Sequence, residues 1–394
     1  MDQRPRCSGH QLIAALTASP ARWNPGFNGL LFPNSMTDQT ISYSELSHLK
    51  TWAFPDSASL RKRALRATLR AQRQAQDPRV ARFKSRKIAE RLQYLPWVAQ
   101  ARTLSLYAAL GDEVGTDDLA HALLRLGKQL VFPVIRDKTM HFHAVSDMDR
   151  GLSERGAFGI REPDPARCPV VAPDEIDIFL TPGMAYDLFG GRVGFGAGYY
   201  DRYLSQRRPD ARVVGLAYEF QVLHAFPVEP TDILLDAVVT EERVYQPTWQ
   251  RFRCPKEGNT ASLAELIYEN DLLQGGCLLL HADLGTGKTV FVKGLARRNA
   301  CTEDTLSPTF IYCRTYHGRM PLVHVDGYRV DALQRGDTEF WNELLQQPGI
   351  VAIEWAEQLG DLVPKDALHL FGRVLDDGAR EWILFTPVQT HGVL

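Results

Sequence analysis

The feature that most limits the possible folds is a glycine-rich loop between an apolar run and a helix-like segment. The loop and its flanks, Leu278 to Thr289, read Leu-Leu-Leu-His-Ala-Asp-Leu-Gly-Thr-Gly-Lys-Thr. This order of strand, loop and helix is what a phosphate-binding P-loop requires. Backbone N–H groups of the loop and of the following helix are expected to face the phosphates. We expect Lys288 at the β- and γ-phosphates and the Thr289 hydroxyl on Mg²⁺.

One position departs from the usual P-loop pattern G-x-x-x-x-G-K-[ST]. Ala282 stands where that pattern has its first glycine, and its Cβ is expected to crowd or restrict the loop. Gly285, Thr286 and Gly287 complete the expected ATP-binding loop. The alternative is a glycine-rich turn before an ordinary helix, but the flanking segments and the Gly-Lys-Thr sequence favour a nucleotide site.

Two later apolar runs each end in a carboxylate. Asp326 follows Leu-Val-His-Val, and Glu354 follows Ile-Val-Ala-Ile. A carboxylate at the end of a strand beside a P-loop is a natural partner of Mg²⁺ or of the reacting phosphate, although either one alone also fits a surface position. No Asn-Lys-x-Asp segment is present, which disfavours a guanine-specific GTPase.

The composition bounds the class of protein. The chain has 394 residues, 44% hydrophobic and 23% charged, which is enough for two or three domains with their own cores. The net charge of -2 argues against a general nucleic-acid coat, so any RNA connection is expected to be local or indirect. The six cysteines are scattered without a C-x-x-C pair, which indicates neither a zinc site nor a disulfide framework. With no apolar run of membrane-spanning length and no signal peptide, we expect a reducing cytoplasm and no membrane.

A basic region follows a first segment of weak periodicity. We expect residues 1–57 to be irregular or disordered, apart from one short helix at 11–16. Twelve lysines and arginines lie between Arg61 and Arg91, against two acidic residues. Most of these charges are expected on solvated helix faces, while one or two are expected to meet an anion such as a nucleotide phosphate.

Strand-like and helix-like segments then alternate up to about residue 245, which predicts a parallel sheet. The densest signal in this part is a second glycine loop, Gly-Gly-Arg-Val-Gly-Phe-Gly-Ala-Gly-Tyr-Tyr-Asp, from Gly190 to Asp201. Its G-x-G-x-G spacing is not that of a dinucleotide fold, yet it lets backbone amides approach a phosphate or a flat ligand. Arg192 is a candidate for phosphate or carboxylate, and Asp201 for a metal. The alternative is a merely flexible loop.

Residues 60–245 resemble the 5-formyltetrahydrofolate cyclo-ligase family, also called methenyltetrahydrofolate synthetases. The segments that carry the resemblance are Lys62–Arg66, Asp112–Thr116, Gly156–Pro163, the glycine loop through Asp201, and Pro230–Asp232. The resemblance implies an ATP- and Mg²⁺-dependent conversion of 5-formyltetrahydrofolate to 5,10-methenyltetrahydrofolate, with ADP and phosphate released.

The same resemblance assigns roles to single residues. It implies that Lys62 and Arg66 contact the ATP phosphates, that Glu113 contacts the folate, and that Asp201 and Asp232 bind Mg²⁺. Arg192 is expected to bind substrate and to neutralise charge during phosphoryl transfer. The glycine loop is implied to wrap ATP and substrate, through Gly191, Gly194, Gly196, Gly198 and Tyr199.

Residues 258–394 resemble the TsaE family, a small P-loop ATPase of tRNA threonylcarbamoyladenosine synthesis. The segments that carry this resemblance are His-Ala-Asp-Leu-Gly-Thr-Gly-Lys-Thr, Ser-Pro-Thr-Phe, Val-Asp-Gly-Tyr-Arg and Ile-Glu-Trp-Ala-Glu. It implies that Lys288 and Thr289 bind phosphate and Mg²⁺, and that Asp326 is a Mg²⁺ or catalytic carboxylate. Thr309 is implied to belong to a switch-like loop, while catalytic Glu354 and Trp355 line the nucleotide site. The implied partners are the protein subunits that transfer the threonylcarbamoyl group, with tRNA contacted indirectly.

The sequence therefore predicts a bifunctional fusion of two α/β domains. We expect a cyclo-ligase domain at 58–245 with a parallel or mixed sheet and helices, an irregular linker at 246–257, and a P-loop NTPase domain at 258–394. One alternative is that the C-terminal half is a non-hydrolysing module that binds nucleotide and partners. Another alternative is a small-molecule kinase, against which the lack of an arginine-rich lid segment counts.

Overall fold

The computed structural model describes residues 41–153, 159–269, 276–302, 313–329 and 337–388. Among these residues, a first compact unit comprises Ser42–Thr248, Leu359–Ala367 and residues 386–388, and a second comprises Trp249–Gln358 and Leu368–Phe385. Thr309 and the short helix expected at 11–16 lie outside the described residues. In the described part of the chain, no helix is both long and apolar enough to cross a membrane.

The first unit has helices and strands in alternation. Its α-helices within the described ranges are α1 (Tyr43–Ala53), α2 (Lys62–Gln74), α3 (Pro78–Gln93), α4 (Pro96–Gln100), α5 (Asp117–Arg125), α6 (Met148–Gly151) and α7 (Tyr199–Leu204). Its strands are β1 (Thr103–Ser105), β2 (Gln129–Arg136), β3 (Thr139–Val145), β4 (Leu152–Ser153), β5 (Glu162–Pro163), β6 (Val170–Val171), β7 (Ile178–Thr181), β8 (Ala185–Asp187), β9 (Arg192–Val193), β10 (Arg212–Leu216), β11 (Val222–Leu223), β12 (Ala237–Val239) and β13 (Val244–Cys254).

The expected parallel sheet forms the centre of the first unit. Strands β12, β10, β7, β1 and β2 pair in parallel, while β3 and β6 continue the sheet antiparallel at one edge and β13 at the other. All four residues of β7 are buried, as expected for a strand covered on both faces. Helix α3 packs Ile88 and Leu92 into the core. A smaller sheet, in the order β11-β8-β9, carries the start of the second glycine loop.

Helix α1 corrects the expectation that residues 1–57 lack regular structure. Ser42 caps it, because its hydroxyl accepts a hydrogen bond from Glu45 N. Leu46, Leu49 and Ala53 are buried and recur at the spacing of one helix face. Burial of this face stabilises the helix. The composition of residues 1–57 did not indicate it, because Pro, Asn, Ser and Gly are frequent there.

The second unit is built on a mostly parallel sheet. Its helices within the described ranges are α8 (Glu257–Glu269), α9 (Lys288–Arg298) and α10 (Thr338–Leu345), and its further strands are β14 (Gly276–Ala282), β15 (Cys313–Tyr316), β16 (Leu322–Asp326), β17 (Ile350–Glu354), β18 (Leu368–Val374) and β19 (Arg380–Val388). Strands β16, β17, β14 and β18 pair in parallel, with β15 and β19 antiparallel outside them. Both units are thus α/β, which confirms the predicted fold class.

The expected irregular linker at 246–257 is wrong as local structure. Strand β13 continues to Cys254, and α8 begins at Glu257. Val244 and Tyr245, just before the expected linker, pair with Val239 and Val238 of β12, and the strand continues from there through residues 246–254. The domain limits at 58–245 and 258–394 stay predictions.

Candidate active sites

Helix α2 presents two of the expected ATP-binding cations in the first unit. Lys62 Nζ lies 2.5 Å from Asp232 Oδ2 and 3.4 Å from Glu229 Oε1. One turn later, Arg66 Nε donates to Gly194 O at 2.7 Å. Because residues four apart share a helix face, both cations reach the same side of the unit. The structure therefore brings together α2, the glycine loop and the Asp232 segment.

The glycine loop begins in a tight, buried turn. Gly190 has a φ of +86°, and a Cβ there would lie 2.6 Å from Leu235 O, so this position requires glycine. Asp187 holds the turn, because its Oδ1 accepts a hydrogen bond from Gly191 N at 2.7 Å. Beyond Val193 the loop reaches the surface. The remaining loop positions expected to bind ATP, Gly194, Gly196, Gly198 and Tyr199, are partly or fully exposed.

Arg192 and Asp201 form a partly buried ion pair. Arg192 Nη2 lies 2.9 Å from Asp201 Oδ1, and the guanidinium lies 5.5 Å from the centroid of the Tyr200 ring. Asp201 Oδ1 also accepts a hydrogen bond from Ile233 N at 3.3 Å, which brings Asp201 next to the Asp232 segment. Mg²⁺ in nucleotide sites uses one or two carboxylates together with phosphate oxygens. Two carboxylates on adjoining segments fit such an ion.

Glu113, the expected folate contact, lies on the loop after β1. Its Oε2 accepts a hydrogen bond from Leu110 N at 2.9 Å. Burial raises the pKa of the Glu113 carboxyl, while the Leu110 hydrogen bond and the positive charge of Arg73 lower it. The structure thus makes Glu113 a partly buried carboxyl with a pKa above its ordinary value.

Arg73 is a site residue that the sequence reasoning missed. It is buried, its Nη2 lies 2.8 Å from Asp112 Oδ1, and its guanidinium lies 5.9 Å from the centroid of the Phe195 ring. It therefore links the loop that carries Glu113 to the second glycine loop. The available signal was its position on α2, eleven residues after Lys62 and on the same helical face.

The P-loop of the second unit joins β14 to α9. Gly287, the residue before α9, has a φ of +109°, a conformation that glycine adopts without strain. A cavity of about 610 Å³ lies at this end of the sheet. Among the residues that line it are seven predicted ones: Gly285, Gly287, Lys288, Thr289, Asp326, Glu354 and Trp355. Thr286 is buried beside them.

Lys288 rests on an aromatic ring in this cavity. Its Nζ lies 3.8 Å from the centroid of the Trp355 ring and donates hydrogen bonds to the carbonyls of Ala282 and Asp283. Burial lowers the pKa of the Lys288 ammonium, which Glu354 and other nearby carboxylates partly offset. Trp355 has a φ of +55°, an unusual conformation for a bulky residue that concentrates at functional sites.

Thr289, Glu354 and His324 form a hydrogen-bonded row. Glu354 Oε1 lies 3.0 Å from Thr289 Oγ1 and 2.9 Å from His324 Nε2. Asp326 is the register partner of Glu354 on adjacent parallel strands, so both carboxylates reach the same end of the sheet. A threonine hydroxyl and two carboxylates around one cavity are oxygen ligands that fit Mg²⁺. The sequence reasoning missed His324, whose signal was a polar side chain inside an apolar strand.

The crowding expected from Ala282 is not found. Ala282 is the last residue of β14, and its side chain packs in the core with Leu280 and Phe291. It does not line the cavity, and its φ is not positive. The buried position of the methyl group therefore indicates a role in packing, not a steric conflict with phosphates.

Comparison with known proteins decides the family of each part. Residues 58–241 match the 5-formyltetrahydrofolate cyclo-ligase family, and residues 254–381 match the threonylcarbamoyl adenosine biosynthesis protein TsaE. The 5-formyltetrahydrofolate cyclo-ligase of Mycolicibacterium smegmatis is 33% identical over 36% of this chain and 75% of that protein. The TsaE protein of Treponema pallidum is 38% identical over 28% of this chain and 82% of that protein. The chain is a fusion of these two families.

The match to the 5-formyltetrahydrofolate cyclo-ligase family and to named cyclo-ligases shows that this chain is an enzyme, as predicted. A solution structure of the Aquifex aeolicus 5,10-methenyltetrahydrofolate synthetase is 34% identical and covers 47% of this chain and 92% of that one, with a TM-score of 0.43. The cluster around the second glycine loop lies in the cyclo-ligase part, and the P-loop cavity lies in the TsaE part. Helix α1 lies outside both family matches.

Proposed function

We propose that the cyclo-ligase part converts 5-formyltetrahydrofolate to 5,10-methenyltetrahydrofolate while ATP is cleaved to ADP and phosphate. The observation that carries this proposal is the meeting of three cations and two carboxylates at the glycine loop. Lys62 lies 2.5 Å from Asp232, Arg192 lies 2.9 Å from Asp201, and Arg66 lies 2.7 Å from the loop carbonyl of Gly194. Such a set suits a triphosphate bound with a divalent cation.

The chemistry requires activation of a poor leaving group. Transfer of the γ-phosphoryl group of ATP to the formyl oxygen makes that oxygen a good leaving group. N10 of the folate then attacks the formyl carbon, the C–O bond breaks, phosphate departs, and the N10 proton passes to solvent. Lys62, Arg66 and Arg192 stabilise the charge on the phosphates during transfer, and Arg192 also orients the substrate. Mg²⁺, when bound through Asp201 and Asp232, supplies further neutralisation of phosphate charge.

Folate recognition is assigned to Glu113. Its carboxyl group accepts hydrogen bonds from N–H donors, such as those on the edge of a pterin ring. Burial raises the pKa of Glu113 above that of an exposed glutamate. Arg73 links the Glu113 loop to the glycine loop and so couples the two halves of the site.

The test is to incubate the full chain with MgATP and 5-formyltetrahydrofolate and to follow methenyl absorbance and phosphate release. One phosphate per methenyl group is expected. Asp201→Ala should abolish Mg²⁺-dependent turnover, whereas Asp149→Ala, at an exposed carboxylate of α6, should not. Wild-type protein without methenyl formation, or Asp201→Ala with wild-type turnover, would refute the proposal.

We propose that the TsaE part hydrolyses ATP in support of threonylcarbamoyladenosine formation at position 37 of tRNA. It would act with the protein subunits that transfer the threonylcarbamoyl group and would contact tRNA only indirectly. The supporting observation is the cavity in which Lys288, Thr289, Asp326 and Glu354 meet. Lys288 is suited to the β- and γ-phosphates and Thr289 to Mg²⁺. We assign the attacking water to Asp326 or Glu354, which lie in register at the same end of the sheet.

Two alternatives make different predictions for the same assay. The ATP hydrolysis rate of the full chain is measured with and without the transferase proteins. Hydrolysis stimulated by those proteins supports the proposal. ATP binding without hydrolysis in their presence supports a non-hydrolysing partner-binding module. ATP consumption that yields a phosphorylated small molecule supports a kinase. We also propose a cytoplasmic location, because folate cofactors, ATP and tRNA meet there.

A further inference from the structure

Helix α1, which precedes the cyclo-ligase match, buries a charged side chain. Lys50 is 3% exposed, and its Nζ lies 2.6 Å from Asp187 Oδ2, whose side chain is fully buried. The ammonium also lies 5.6 Å from the Phe189 ring centroid and 5.5 Å from that of Phe226. Burial of two charges is costly even when they pair, so stability alone is a weak reason for this arrangement.

Asp187 connects Lys50 to the second glycine loop. Its carboxylate accepts hydrogen bonds from Gly191 N at 2.7 Å, Phe189 N at 3.1 Å and Phe226 N at 3.2 Å. A Cβ at Gly191 would lie 2.7 Å from Asp187 Oδ2, so the carboxylate is pressed against the turn. The residue after Gly191 is Arg192. Lys50 is therefore connected to Arg192 through two residues, Asp187 and Gly191.

The other end of α1 reaches the opposite side of the same site. The hydroxyl of Tyr43 donates a hydrogen bond to Val228 O, just before the segment that carries Glu229 and Asp232. Burial raises the pKa of Tyr43, as does the negative charge of Asp232, while Lys62 lowers it. One helix thus contacts both the start of the glycine loop and the approach to the Lys62–Asp232 pair.

We propose that α1 is a built-in positioning element of the folate site, in which Lys50 acts through Asp187 to fix the glycine loop and Arg192. Lys50 pairs with the carboxylate of Asp187, which accepts hydrogen bonds from three backbone N–H groups. The residue is a positioning residue and does not touch the substrate. The inference rests on the proposed cyclo-ligase function.

The first test compares Lys50→Met, Asp187→Asn and the double variant in the full chain. Lys50→Met keeps the side-chain length but leaves an uncompensated buried carboxylate. We expect kcat/KM for MgATP to fall about 10- to 100-fold, the range that a misplaced catalytic group produces. The double variant should recover part of this loss, because the amide oxygen of the substituted asparagine can still accept the Gly191 N–H without a buried charge, whereas its NH₂ group cannot accept the Phe226 N–H.

A matched control separates positioning from general stability. Val98→Ala, at a buried core position of α4, should lower the melting temperature without moving the loop. Assays run well below both melting temperatures should leave Val98→Ala near the wild-type rate. Lys50→Met with the same rate as Val98→Ala, or a double variant as slow as Lys50→Met, would overturn the inference.

A second readout does not depend on turnover. Hydrogen exchange of the backbone amides in residues 189–196 should accelerate in Lys50→Met, while exchange in β10 should stay unchanged. Unchanged exchange in 189–196 would also overturn the inference. If the wild-type chain makes no methenyl product, the proposed function fails. If it turns over and Lys50→Met matches the control, only the role of Lys50 fails.

Discussion

His324 should control ATP hydrolysis in the TsaE part without touching the nucleotide. It is fully buried, its Nε2 lies 2.9 Å from Glu354 Oε1, and it does not line the cavity. His324→Leu removes this hydrogen bond and leaves Thr289 on the same oxygen. A hydrogen bond to a charged group contributes about 1.5–3 kcal/mol. If that free energy is lost in the transition state, kcat should fall ~10- to 150-fold.

The assay is steady-state ATP hydrolysis by the full chain with the transferase proteins, together with an ATP-binding titration. KM and the nucleotide Kd should change little, because the binding groups stay in place. His324→Gln, which retains an N–H donor, should recover part of the rate. Val323→Ala controls for packing, since Val323 is a buried neighbour on the same strand. A wild-type rate in His324→Leu would refute the reasoning, as would equal losses in the Gln and Leu variants.

Three further predictions follow from the two sites. Lys288→Ala should abolish support of tRNA threonylcarbamoylation and leave methenyl formation intact, whereas Asp201→Ala should do the reverse. Because burial lowers the pKa of Lys288, the ammonium loses its charge at a lower pH than an exposed lysine does. As pH rises, nucleotide affinity measured by titration should therefore weaken before the ordinary lysine pKa is reached. Ala282→Gly should not strengthen nucleotide binding, because the methyl group packs in the core.

Each of these predictions has a contrary outcome. Loss of methenyl formation in folded Lys288→Ala would mean that the sites are coupled or misassigned. If nucleotide affinity stays constant up to the ordinary lysine pKa, this prediction is wrong. Either the bound phosphate then keeps Lys288 protonated, or another cation binds the nucleotide. A clear gain in affinity for Ala282→Gly would restore the steric interpretation of that position.

The sequence predicted best which residues lie together where one short segment holds them. The P-loop, with Lys288 and Thr289, is a local strand–loop–helix pattern, and its residues do meet around one cavity. The shared position of Asp326 and Glu354 at the ends of β16 and β17 was predicted from the rule that parallel strands bring their carboxyl ends to one edge of a sheet. Local patterns of this kind carry their own geometry.

The sequence failed where distant segments decide the structure. Helix α1 is stabilised by burial of Leu46 and Leu49, which the composition of residues 1–57 conceals. Strand β13 begins where Val244 and Tyr245 pair with β12, a long-range contact that the local pattern of residues 246–254 does not indicate. Arg73 and His324 acquire their roles from partners 39 and 30 residues away in the chain, and no local spacing announces such contacts.

If the TsaE part hydrolyses ATP as proposed, the contact between Lys288 and Trp355 has a consequence for product release. A phosphate that takes Lys288 must first draw the ammonium off the indole ring, which holds it at 3.8 Å. A cation–π contact contributes about 0.5–2 kcal/mol, so the ring acts as an internal competitor that weakens nucleotide binding about 2- to 30-fold. In the proposed hydrolysis cycle, the same competition would speed the departure of ADP, because the ammonium would return to the ring as the nucleotide leaves. In this way the ring would lower nucleotide affinity and raise the rate of turnover.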